Sequence, residues 1–214
     1  MGSCLIKAAL LALIICVQAW ASLALDLRSE TYNGRPILML HGEFERGDSE
    51  RVERFLHADP ATQEVQFHSP GGLLSQGIAV GQVLRKASIA TRVPASASCI
   101  SACVWAFLGG VLRAVDDDAK VGVHMASMMF NEDLIVRIKN RLVGQSRDDM
   151  DVPLRIIMAM TEKAAARAAA DKAEHLVRMG VSLRLLAPGL ATDHWQVHWL
   201  TQAELRDYNV VNID

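Results

Sequence analysis

The stretch SACVWAFLGG at residues 101–110 decides the fold of this chain. It is apolar and uncharged, it opens on a serine, and it closes on two adjacent glycines. Serine is a preferred residue at the amino end of a helix, and glycine is preferred just beyond the carboxyl end. The pattern therefore predicts a buried helix over residues 101–108 with the Ser101 hydroxyl at its amino end.

A second punctuated segment lies toward the amino terminus, at residues 64–86. EVQFH at 64–68 predicts a strand, SPGG at 69–72 predicts a break, and helical spacing of apolar residues predicts a helix over 73–86. Glycines let neighbouring main-chain N–H groups point at one spot, which is how an oxyanion hole is built from backbone alone. A tight turn without any chemistry explains the same four residues.

A third segment lies toward the carboxyl terminus. Residues 111–115 predict a strand, three aspartates at 116–118 predict a turn, and VGVH at 121–124 predicts a strand that ends in His124. A histidine at a strand end projects from a rigid scaffold and can serve as a base. A single histidine in such a place is more often structural.

Strand and helix patterns alternate along the rest of the chain. Further strands are predicted at 27–32, 36–40, 89–93 and 210–213. Further helices are predicted from 48 or 49, at 131–142, at 152–179 and from 201 to 205, the last closed by Asn209 in the left-handed conformation. The chain has no linker and no fixed-period repeat, so we expect one α/β domain over residues 26–214.

The amino terminus has the parts of a secretory signal peptide. Lys7 precedes a short apolar run at 8–17, and an Ala-Trp-Ala site ends at Ala21. We expect residues 1–21 to be removed after export, and an uncleaved anchor reaching to about residue 25 is the alternative. Both predict a protein that is periplasmic, or membrane-anchored and facing the periplasm.

Cys99 and Cys103 are the cysteines that remain after the signal segment. In an oxidising compartment this pair can form a disulfide, although a bridge between positions i and i+4 needs distorted helix geometry. The alternative is that both are small buried hydrophobic side chains. No Cys/His spacing predicts a metal site, and no motif calls for a cofactor.

Composition narrows the function classes. The chain is 51% hydrophobic and 21% charged, with a formal net charge of -2 and 5% aromatic residues. It has no long Lys/Arg run, and a basic footprint or an aromatic platform is what nucleic-acid binding requires. We therefore expect no nucleic-acid partner.

Together, the three segments resemble the Clp protease proteolytic subunit and the wider crotonase superfamily, most closely its uncharacterised predicted periplasmic proteins. Gly72 precedes Ser101 by 29 positions and Ser101 precedes His124 by 23, spacings similar to those of the family. The ending WLTQAELRDYNVV resembles the family's closing helix–strand unit, with Asn209 where glycine is usual. The resemblance covers residues 35–130 and 193–213 and implies a Clp-protease/crotonase-like spiral of ββα units.

The resemblance also implies the roles of a serine hydrolase. Ser101 is the implied nucleophile and His124 the implied base. The implied oxyanion hole is formed by main-chain groups of Gly71, Gly72 and Ala102.

The third member of the implied triad is open. Asp193 lies six positions before Trp199, which matches the family's offset from its closing helix, and Asp171 lies nearer the family's spacing from the histidine. Both aspartates also fit a solvated surface, and a Ser–His dyad needs neither.

Three functions follow from the resemblance. The first is an ATP-independent peptidase that acts on peptide or protein substrates, without cofactor or metal, in a homo-oligomer. The second is a non-catalytic binding or assembly module that keeps the fold. The third is an acyl-CoA enzyme without a serine nucleophile, which export disfavours because acyl-CoA is cytoplasmic.

Overall fold

The structure is a computed structural model that describes residues 24–127, 132–143 and 151–213. The predicted signal segment at residues 1–21, cleaved or retained, lies outside these residues. In the described ranges, no helix combines the length and the hydropathy that crossing a membrane requires.

The strands follow the predicted order, with exceptions at residues 69–72, 98–100 and the carboxyl end. Their bounds are β1 (Asp26–Tyr32), β2 (Arg35–Phe44), β3 (Glu64–Gly72), β4 (Ala90–Val93), β5 (Ser98–Ile100), β6 (Arg113–Val115), β7 (Lys120–Val123) and β8 (His198–Trp199).

The helices agree with the predicted ones to within a few residues, with one short helix added. Their bounds are α1 (Asp48–Ala58), α2 (Leu74–Lys86), α3 (Ala102–Phe107), α4 (Glu132–Leu142), α5 (Asp151–Met179), α6 (Leu186–Ala191) and α7 (Gln202–Asp207). All six residues of α3 are buried, as the apolar stretch predicts. The predicted mixed α/β fold is confirmed.

Strand β3 organises the sheet because its two halves pair with different neighbours. Residues 64–66 pair in parallel with β4, which pairs in turn with β6. Farther along, Ser69 stands opposite Cys99 of β5, and β5 pairs in parallel with β7. The branch β3–β5–β7 therefore brings together the three segments that the sequence singles out.

Helix α3 packs against α2 at backbone contact distance because glycines face it. A Cβ atom added to Gly77 of α2 would stand 2.1 Å from the carbonyl oxygen of Ala102. One added to Gly81, a turn later, would stand 2.5 Å from the carbonyl oxygen of Trp105, and one added to Gly109 would stand 2.1 Å from that of Gly81. Any side chain at these positions would push the two helices apart.

The predicted break at residues 69–72 is wrong. Strand β3 continues through these residues to Gly72, because Gly71 and Gly72 pair with Glu43 and Phe44 of β2. This pairing follows a bulge between His41 and Glu43. The two glycines have φ of 115° and 122°, values that side chains rarely allow. The sequence therefore predicts the need for glycine correctly and the end of the strand incorrectly.

The predicted strand at residues 210–213 is also wrong. Buried Arg113 donates from Nε to the Val210 carbonyl (2.9 Å) and from Nη2 to the Asn209 carbonyl (2.8 Å). The Arg113 main-chain N–H donates to the Asn212 side chain (2.7 Å). These bonds hold the segment without a strand ladder. Asn209 has the predicted left-handed conformation, with φ of 55°.

We expect Gly77→Ala to lower the free energy of unfolding by about 1–3 kcal/mol, the usual cost of overpacking. Alanine is the better helix former, but its methyl group has no room against the Ala102 carbonyl. Urea denaturation measures the effect. Ser75→Ala, on the exposed side of α2, is the control and should stay within about 0.5 kcal/mol of wild type. A Gly77→Ala protein as stable as wild type would contradict the close packing.

His175, near the carboxyl end of α5, is a buried and uncharged imidazole. Its Nε2–H donates to the Trp105 carbonyl (2.7 Å), and its Nδ1 has no hydrogen-bond partner among the described residues. Burial lowers the pKa of His175 from its usual 6.5 to about 4. Between these two values the unfolded chain binds a proton that the folded chain does not, so stability falls as the pH drops.

We expect the free energy of unfolding to fall by about 3 kcal/mol more in wild type than in His175→Gln between about pH 7 and pH 4, at roughly 1.4 kcal/mol for each pKa unit. Urea denaturation along this pH series measures the difference. His57→Gln, at an exposed position of α1, is the control and should keep the wild-type pH dependence. Parallel curves for wild type and His175→Gln would rule out a neutral buried His175.

Candidate active site

The three predicted site segments meet at one edge of the sheet. Strands β3, β5 and β7 are neighbours and run in parallel, so their carboxyl ends lie side by side. Gly72 ends β3, Ser101 follows the end of β5, and His124 follows the end of β7. Ile100 pairs with Gly122, so Ser101 and His124 directly follow adjacent strands, one residue apart in register.

Strand β5, which the sequence did not predict, is what brings Ser101 to this edge. Besides its ladder with β7, the Ser98 N–H donates to Nδ1 of His68 on β3 (3.3 Å). Burial, with His41 nearby, lowers the pKa of His68 and favours the neutral ring that accepts this bond. Three residues within a run of small side chains carry too little periodicity to predict a strand.

Ser101 stands at a sharp turn between β5 and α3. Its φ of 56° and ψ of -120° are unusual for a residue with a side chain, and such a conformation costs about 1–3 kcal/mol. Its N–H donates to the Gly122 carbonyl (3.0 Å), and its carbonyl accepts from the Val104 N–H (3.0 Å). The turn is therefore held by β7 on one side and by the first turn of α3 on the other.

Gly71 gives this turn its space. A Cβ atom added to Gly71 would stand 2.7 Å from the Ser101 Cβ and 3.2 Å from the Ala102 nitrogen. The Gly71 N–H donates to the Ser69 hydroxyl (3.1 Å), so it is already used. Of the three predicted oxyanion-hole residues, Gly71 therefore contributes room for Ser101 and not a free donor.

Gly72 and Ala102 keep the features of main-chain donors. The neighbouring Leu73 N–H donates to the Phe44 carbonyl (2.8 Å), and Gly72 itself is exposed at the end of β3. Ala102 is the first residue of α3, where an N–H group has no partner within the helix. Both groups belong to the segments that Gly71 brings into contact.

The His124 ring is held by its own main chain. Its Nδ1 lies 2.8 Å from the Met125 carbonyl oxygen, and only the ring can donate in that pair. Nε2 of the neutral ring is then free to accept a proton. Among the described residues, no carboxylate hydrogen-bonds to this imidazole. The Ser101 hydroxyl and the ring are not hydrogen-bonded to each other either, and such contacts are often long in unliganded sites.

The two candidate aspartates lie in different surroundings, and Asp193 is near the segment that contains His124. The carbonyl of Thr192, next to Asp193, accepts from the Met125 N–H (2.9 Å), so the Asp193 main chain runs beside the His124 loop while its side chain is exposed. Asp171 bonds to Arg167 one turn away on α5 (3.0 Å) and lines a groove between α5 and α2.

Cys99 and Cys103 flank the Ser101 turn and are joined by a disulfide, with a Cα–Cα distance of 5.3 Å. Cys99 lies in β5 and Cys103 in α3, so the bridge spans a strand end and a helix start. This bent path is the distortion that a bridge across four positions needs. Both sulfurs are buried, so the bridge also fills the core under the turn.

One buried residue beside His124, Lys172, was not predicted from the sequence. Its side chain is buried, its Nζ stands 3.5 Å from the His124 carbonyl oxygen, and it lies 5.2 Å from the centre of the Trp105 ring. The helical period could have indicated that Lys172 is buried, because it shares one helix face with His175 and Met179. All three are buried in the structure.

We expect the double variant Cys99→Ala with Cys103→Ala to lower the free energy of unfolding by about 2 kcal/mol, the chain-entropy contribution of so short a loop. A reducing agent should cause a similar loss in the wild type and none in the double variant. Urea denaturation with and without dithiothreitol measures both. Two titratable thiols in an unreduced, denatured protein produced from residue 22 onward, without Cys4 and Cys16, would contradict the bridge.

Comparison with known proteins finds a likeness in structure only. No family model and no curated protein matches it. Among solved structures it is similar to a point mutant of ClpP1 from Listeria monocytogenes, with 17% sequence identity over 81% of this chain and 86% of that chain and a TM-score of 0.47. A likeness of this degree assigns no activity.

Proposed function

We propose that the chain is a serine hydrolase, with Ser101 as nucleophile and His124 as base. The observation that carries this proposal is the convergence of Ser101, His124 and the Gly71–Gly72 segment at the carboxyl ends of three adjacent parallel strands. The strained turn at Ser101 adds to it, because unusual backbone conformations cluster at functional sites.

The proposed chemistry is acyl transfer in two steps. Nε2 of His124 takes the proton of the Ser101 hydroxyl as the oxygen attacks a substrate carbonyl, and the main-chain N–H groups of Gly72 and Ala102 stabilise the oxyanion. The imidazolium gives its proton to the leaving amine, and an acyl-serine remains. Water, deprotonated by the same imidazole, releases the acid and restores the serine.

We propose that the base works without a carboxylate partner. The Met125 carbonyl accepts the Nδ1–H bond that an aspartate accepts in a triad, and it selects the same tautomer. A neutral carbonyl stabilises the imidazolium less than a carboxylate does. A slow hydrolase is therefore expected. Asp193 remains the candidate if the His124 loop rearranges when substrate binds.

The substrates that we propose are short or unfolded peptides outside the cytoplasm. This follows from the predicted signal segment, because an exported chain has no access to an ATP-driven unfolding partner. A homo-oligomer is proposed from the sequence resemblance alone.

A non-catalytic binding or assembly module is the second candidate. Two observations favour it: among the described residues no carboxylate bonds to the His124 ring, and the Ser101 hydroxyl does not bond to that ring. Such a module would keep the fold and the turn but would not react with an electrophile.

We expect a fluorophosphonate probe to label the wild type and not Ser101→Ala, because the probe reacts only with an activated serine. His124→Gln should slow labelling by about a hundred- to ten-thousandfold, the usual contribution of a general base. Asp193→Asn should label at the wild-type rate if the base works as a dyad. Gel fluorescence and the mass of the modified peptide measure these effects.

Ser98→Ala, three residues before the proposed nucleophile, is the matched control and should label normally. Labelling of Ser101→Ala at the wild-type rate would disprove Ser101 as the nucleophile. A wild type that never labels, although it is folded and carries the disulfide, would favour the binding module.

A further inference from the structure

Lys172 is a buried cation that has no anionic partner among the described residues. Only 3% of its surface is exposed, although it belongs to the otherwise largely solvated helix α5. No carboxylate among the described residues forms an ion pair with it. Its neighbour Asp171 pairs with Arg167 instead. Burying an unpaired ammonium group disfavours folding, so this lysine requires an explanation.

In the described structure, Lys172 contacts two residues beside the Ser101 site. Its Nζ lies 3.5 Å from the His124 carbonyl oxygen and 5.2 Å from the centre of the ring of Trp105, which stands one turn after Ser101 on α3. Burial lowers the pKa of Lys172 to about 8. The ammonium form therefore predominates at neutral pH, and its charge attracts the carbonyl oxygen.

In the described structure, the main chain is attached on both sides of His124. The ladder between β7 and β8 ends with Val123 opposite His198, and the next main-chain bond runs from the Met125 N–H to Thr192. His124 lies between these two attachments, beyond the end of β7. The Lys172 Nζ is the group beside its carbonyl in the described structure.

We propose that Lys172 is a positioning residue of the Ser101 site, whose ammonium group holds the main-chain carbonyl of His124 and thereby fixes where the imidazole stands. The inference rests on the proposed function for its effect on rate. The contact itself concerns only Lys172 and His124. A side chain at this position that served packing alone would do better without a charge.

The test removes the charge of Lys172 and keeps a side chain of similar shape. Lys172→Met retains an unbranched side chain against Trp105 and removes the ammonium group. We expect its unfolding midpoint in urea to equal or exceed that of the wild type, because an unpaired buried charge is lost. We expect the limiting rate of fluorophosphonate labelling at saturating probe to fall about 10- to 100-fold, since a small displacement of a reacting group costs up to about a hundredfold. The probe concentration for half-maximal rate should stay unchanged.

A second measurement does not depend on activity. Nitrogen-15 NMR of the histidine rings reports the tautomer of each, and His124 is assigned by its loss in His124→Gln. In the wild type we expect one tautomer with the proton on Nδ1, as the bond to Met125 requires. In Lys172→Met we expect a mixture of tautomers at His124 and no change at buried His175.

Lys163→Met, at an exposed position of the same helix, is the control and should match the wild type in every measurement. A Lys172→Met protein with the wild-type labelling rate, or with an unchanged His124 spectrum, would overturn the inference. So would a loss of stability, because that result marks a packing role. If the wild type does not label at all, the proposed hydrolase fails while the NMR comparison still decides the role of Lys172.

Discussion

The main-chain contact between α2 and α3 is the constraint on which the rest of the structure depends. Gly77 and Gly81 let the two helices approach until the backbone of one touches that of the other. This close approach fixes the position at which α3 begins. Ser101 immediately precedes α3, so its position is inherited from the helix pair. Gly71 meets the same turn from β3. Three glycines from two elements thus determine where one hydroxyl stands.

The sequence predicted what depends on local pattern. The apolar run over residues 101–110, the glycines at 71 and 72 and the left-handed Asn209 each follow from neighbours a few residues away. The errors arose where distant residues decide. Strand β5 exists because β3 and β7 flank it, and residues 210–213 do not form a strand because Arg113 binds the carbonyls of Asn209 and Val210 from 96 and 97 positions away.

For the candidate site, too, the sequence indicated the local motifs but not the contacts between distant residues. Ser101, His124 and the glycine segment lie together, as their motifs indicated, because short motifs at strand ends are local features. The environment of the histidine was not predictable in this way. Its ring is held by the next carbonyl along the chain, and its own carbonyl faces a lysine 48 positions away. Three buried side chains donate to main-chain carbonyls rather than to carboxylates: those of Arg113, Lys172 and His175.

The disulfide has a consequence for how damage to this chain would be detected. Cys99 and Cys103 enclose the Ser101 turn between them. If a contaminating protease cut a peptide bond between these two cysteines, the fragments would stay covalently joined. The nicked protein would run as one band on a non-reducing gel and would gain only the mass of one water molecule. A preparation that looks intact can therefore contain broken Ser101 turns, and a reducing gel is the assay that separates the two populations.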